Sequence, residues 1–73
     1  MSGLDADILR EIFYKDLNQK SLPISDLQVL TGKSAAELRP HLEDLKQKQL
    51  IFEHSDEVEL SSMGRHYCSS YWV

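Results

Sequence analysis

Apolar residues recur at helical spacing through the first two thirds of the chain, and the period changes after that. Over residues 5–19, DADILREIFYKDLNQ, the residues Ile8, Leu9, Ile12, Phe13 and Leu17 fall one, three and four apart. That spacing predicts an amphipathic helix with a broad apolar face, its start capped by Ser2 or Asp5. Pro23 disfavours helix at Leu22, so NQKSLP reads as a break. ISDLQVLTG then predicts a short second helix with Ser25 as its N-cap, Leu27 and Leu30 inward, and Gly32 in the left-handed turn that closes it. Ser34 and Glu37 match the S-x-x-E capping box. They open a third helix, over about residues 35–49, with Leu38, Leu42 and Leu45 inward.

Beyond residue 49, LIFEH and EVELS cluster or alternate β-formers on either side of Ser55 and Asp56, which predicts a two-stranded hairpin. In the tail SSMGRHYCSSYWV, Tyr67 and Tyr71 are four apart, as are Cys68 and Trp72. A short C-terminal helix or tail would place each pair on one side, docked on the first helix, although Gly64 weakens that helix. The expected class is therefore α+β, mainly α, in a single domain over 1–73.

Totals narrow the functional classes. No apolar run is long enough to span a bilayer, and the acidic N-terminal stretch does not fit a secretory signal. A single cysteine, Cys68, forms no internal disulfide, so a reduced, cytoplasmic setting is expected. Eight Lys and Arg stand against twelve Asp and Glu, a net of −4. Dedicated nucleic-acid binders usually carry a basic excess, because phosphate neutralisation supplies most of their non-specific affinity. The acidic excess lies toward the C-terminal end. His41, His54, His66 and Cys68 lack metal-ligand spacing, no glycine loop fits a phosphate, and Cys68 has no positioned base. Neither metal, cofactor nor enzyme activity is expected.

The run Leu38, His41, Leu42, Leu45, Leu50, Ile51 resembles the junction between recognition helix and wing in the winged helix-turn-helix of ArsR- and MarR-type bacterial regulators. The stretch Glu59-Leu60-Ser61-Ser62-Met63-Gly64-Arg65 is similar to the segment that follows the wing in such domains. The resemblance covers Ile24 to Arg65. It implies three helices, a hairpin wing and a bacterial or phage transcription regulator that binds double-stranded DNA, with helix 3 as the recognition helix. Lys33, Ser34, Ala35, Ala36 and Arg39 match the family's DNA-contacting positions, as do Glu37, which also fits the capping box, and Pro40. The resemblance also implies a homodimer formed through terminal helices.

Two features depart from that pattern. Pro40 sits beyond the first helical turn, so the helix either kinks there or begins anew at Pro40 after a separate turn. The hairpin carries Glu53, His54, Asp56, Glu57 and Glu59 where DNA-binding wings usually carry Arg or Lys. The alternative is a protein–protein interaction module with an acidic wing that does not bind DNA, using Glu57, Glu59, Tyr71 and Trp72 as its surface. The aromatic tail has a second expected use, as cover that enlarges a small core.

Overall fold

The computed structural model describes the backbone of residues 3–72 and the side chains of residues 3–71. Four helices and a small antiparallel sheet follow one another as α1 (Gly3–Leu17), β1 (Leu22–Pro23), α2 (Ile24–Thr31), α3 (Ala35–Gln47), β2 (Ile51–His54), β3 (Glu57–Leu60) and α4 (Ser62–Trp72). The class is α+β and mainly helical. The sheet order is β1-β3-β2, with Leu22 opposite Val58, and Ile51 opposite Leu60. One apolar cluster joins all of it: Ile8, Leu9, Ile12 and Phe13 of α1 meet Leu27 of α2 and Leu38, Leu42 and Leu45 of α3. Leu22, Ile51, Val58 and Leu60 of the sheet also belong to it, as do Ile24 of α2, Leu50, and Cys68 of α4.

Local chemistry explains most of the boundaries. Gly32 closes α2 at φ 70°, where an L side chain would be strained. Ser34 and Glu37 form the expected capping box: the Glu37 amide donates to Ser34 Oγ at 3.1 Å, and the Ser34 amide donates to Glu37 Oε1 at 3.0 Å. Ser55 and Asp56 both adopt positive φ, 48° and 62°, which is the backbone of a two-residue hairpin turn whose twist suits antiparallel strands. The tip of that turn is tethered, because the Ile24 amide donates to the Asp56 carbonyl at 2.8 Å.

Several expectations are corrected. Ser25 does not cap α2: the helix starts one residue earlier, Pro23 holds the cap position, and no side chain bonds there. Proline supplies an extended φ at that point, and its missing N–H is no loss before a first turn. Leu30 is 54 % exposed and Leu17 63 % exposed, so the apolar stripes of α1 and α2 are narrower than their sequences suggest. Asp5 is no cap either. It lies inside α1, buried, hydrogen-bonded to His41 Nδ1 of α3; Ser2 lies outside the described residues. The pair Leu22–Pro23, read as a break, is a third strand.

Of the two alternatives at Pro40, the restart is overturned: α3 runs as one helix from Ala35 to Gln47 with the proline inside it. Gly64 does not interrupt α4, and the position has no room for a side chain: a Cβ there would lie 2.0 Å from the Leu50 carbonyl oxygen. Ser61 secures the same corner. Its hydroxyl donates to the Gln49 carbonyl at 2.6 Å and accepts from the Gly64 amide at 2.9 Å, as a helix N-cap does. Arg65 then ties α4 to α1 through two bonds to Asp16, at 2.7 and 2.8 Å.

Candidate nucleic-acid interface

The residues singled out for DNA contact do share one exposed region. Lys33, Ser34, Ala35, Ala36, Glu37, Arg39 and Pro40 are all exposed at the start of α3. Their polar groups, however, are largely engaged within the chain. The capping box occupies the Ser34 hydroxyl and the Ser34 and Glu37 amides. Hydrogen bonding from the Ser34 backbone amide, and then from the Ser34 side chain, holds the Glu37 carboxyl below its ordinary value. Lys33 makes no ion pair among the described side chains.

Arg39 is held most firmly. Its Nη1 and Nη2 donate to the two carboxylate oxygens of Glu53 at 2.7 and 3.0 Å, and Nη1 also donates to Glu43 Oε2 at 3.1 Å. Lys46 Nζ donates to the same two residues, to Glu43 at 2.8 Å and to Glu53 at 3.0 Å. Two cations from α3 thus meet one carboxylate from α3 and one from β2, with no net charge left over. Charge-assisted, forked bonds of this kind are among the strongest that proteins make, and they compete directly with phosphate. The Glu53 side chain is 18 % exposed. The Arg39 bonds, then those of Lys46, pull its carboxyl down to about 2, while Arg39 itself is raised.

This has a measurable acid signature. Because the folded-state value of Glu53 lies below its ordinary one, near 4.5, its stabilisation is fully present above that value. It is lost as pH falls from about 4.5 toward 2. Urea midpoints measured across that window are expected to fall more steeply for the wild type than for Glu53→Gln. Parallel slopes would mean that the carboxylate contributes nothing to folding.

The hairpin adds no cation at its tip. Glu57 accepts a hydrogen bond from Ser21 Oγ, and Glu59 lies 3.5 Å from His54 Nε2 on the neighbouring strand. Lys48, just past the end of α3, is paired with Asp44 at 2.8 Å and lies 3.9 Å from Asp5.

The described residues proposed as an alternative surface line three different clefts, and Glu57 borders one with Ser25 and Arg39. Glu59 borders a polar cleft of about 620 Å³ with Asp16, Lys20 and Arg65. Tyr71 lies instead in a shallow apolar groove of about 790 Å³ along α4, with Leu50, Met63, His66 and Tyr67. The Tyr67 and Tyr71 rings are 4.7 Å apart, and Tyr71 is 69 % exposed. The Trp72 side chain lies outside the described residues. No carboxylate occurs anywhere in α4 or among the residues of its groove.

Sequence reading missed the ring of charges because half of it is non-local. The pairs Arg39–Glu43 and Glu43–Lys46 stand four and three apart and are legible on a helix. Glu53 is fourteen positions from Arg39 and arrives only when the strand folds back. Cys68, by contrast, is where a structural thiol belongs: fully buried, with burial pushing its pKa up to about 11. The chain matches no protein-family model, no curated protein and no solved structure.

Proposed function

We propose that this chain is a winged-helix protein-interaction module whose α3 is closed to DNA. The observation that carries the reading is the occupation of Arg39 and Lys46 by Glu53 and Glu43. These are the cations a recognition helix would need for phosphate, and each is already bonded to carboxylates. The order of helices and strands, with the hairpin after α3, supports the winged-helix assignment.

The partner is a second copy of the chain, docked through the α4 groove. Each copy carries a net charge of −4, so two copies meet most favourably on a face without carboxylates. The α4 groove is such a face, and it exposes Met63 and Tyr71, residue types enriched where proteins meet. The runner-up reading, DNA binding through the start of α3, is favoured by one feature, the exposed Lys33, which makes no ion pair among the described side chains.

Sedimentation equilibrium and a low-salt titration with mixed-sequence duplex DNA separate these readings. A dimer that becomes a monomer on Met63→Glu with Tyr71→Glu, together with no DNA binding, is the expected result. A monomer at all concentrations overturns the self-docking. Salt-sensitive DNA binding that Arg39→Ala weakens overturns the closure of α3 and restores the regulator reading.

A further inference from the structure

The donors around Glu53 are arranged as an anion site rather than as a chance surface pair. Three N–H groups converge on one carboxylate: Arg39 Nη1 at 2.7 Å and Lys46 Nζ at 3.0 Å on one oxygen, and Arg39 Nη2 at 3.0 Å on the other. A planar fork plus an ammonium is also how proteins grip a phosphodiester. Residues 39, 43 and 46 lie at helical spacings of four and three, so both cations and Glu43 share one stripe of α3. Glu53 reaches that stripe from outside the helix, from the edge strand β2, and is the least exposed member of the group.

We propose that Glu53 is the residue that decides against nucleic acid: Arg39 and Lys46 form a phosphate-binding site that β2 fills with its own carboxylate, and neutralising Glu53 opens it to a DNA backbone.

The charge balance supports this. With Glu53 in place the group sums to zero, and with Glu53 neutral Glu43 alone faces two cations, so a net positive charge remains on an exposed helix face. Glu43 sits in the same helix and is 48 % exposed, so it can be displaced at small cost by a polyanion. Ordinary changes of cellular pH do not operate the latch, because the Glu53 carboxylate stays ionised far below neutrality. It is a fixed element of specificity, an intramolecular competitor that discriminates against the wrong partner.

This inference rests on the closure of α3 proposed above, and one titration distinguishes the two. Fluorescence anisotropy of a short labelled mixed-sequence duplex is followed at low ionic strength with the wild type, Glu53→Gln and Glu53→Gln/Arg39→Ala. Glu53→Thr, which suits an edge strand, serves if the glutamine variant does not fold, as judged by circular dichroism. The expected result is no measurable binding by the wild type and affinity at least about tenfold higher in the neutralised variant. That affinity should fall with added salt and be lost with Arg39. Folded neutralised variants that do not bind would overturn the latch and leave the interaction-module reading intact. Binding by the wild type would overturn that reading instead. The ratio between variant and wild type then decides the latch, with a ratio near one rejecting it.

Discussion

Gly64→Ala is expected to destabilise the fold by about 3 kcal/mol or more, at the upper end of what overpacking costs. The added Cβ would lie 2.0 Å from the Leu50 carbonyl oxygen and 2.9 Å from its carbon, and both are backbone atoms that cannot rotate away. Relief requires α4 to lift from the residue that links α3 to β2. Lifting it would break the Ser61 bonds to Gln49 and to the Gly64 amide. A domain of this size has only on the order of 4–11 kcal/mol in total, so the variant should lose about a quarter or more of its stability and unfold at a clearly lower urea concentration. Urea denaturation followed by circular dichroism checks this. A midpoint unchanged from wild type would mean that the corner is looser than its geometry indicates.

Pro40→Ala should act in the opposite direction, raising stability by roughly 1–2 kcal/mol. Pro40 is the sixth residue of α3, past the first turn that tolerates proline. It gives no N–H to the Ala36 carbonyl and crowds that oxygen, a penalty of about 3 kcal/mol in a helix interior. Proline also restricts the unfolded chain, which offsets up to about 1 kcal/mol of the gain on its replacement. Exposure of the position removes any packing loss from the comparison. Thermal and urea melts of the two proteins give the sign directly. A decrease would show that the proline conformation is required by the helix, and that its presence is not a cost accepted for another purpose.

Much of the fold was legible where one local rule had no competitor. The Ser34–Glu37 box, the Gly32 closure and the turn at Ser55 and Asp56 each depend on neighbours within four residues. Ser25 misled because a serine before an apolar run is a common cap, whereas the extended backbone at Pro23 had already set the helix start. The strand Leu22–Pro23 carries no periodicity in two residues, and only its pairing with Val58 and Glu57 creates it. Gly64 read only as a weakening of the C-terminal helix, because the pressure that demands glycine there comes from Leu50, distant in sequence. The candidate site divides in the same way. Its exposed residues were all identifiable, but the engagement of Arg39 by Glu53 is a tertiary fact that no local rule displays.

The antiparallel sheet also has a bearing on how the chain comes off the ribosome. Ser21 and Glu57, which bond across β1 and β3, are 36 positions apart. At synthesis rates of roughly 5–20 residues per second, that interval lasts about 2–7 s. During it α2 and α3 are added to α1 before β3 is there to join the cluster around Ile8, Leu9, Ile12 and Phe13, and isolated helices of 8–15 residues are marginal in water. Until the hairpin arrives, the apolar face of α1 therefore has only part of its cover.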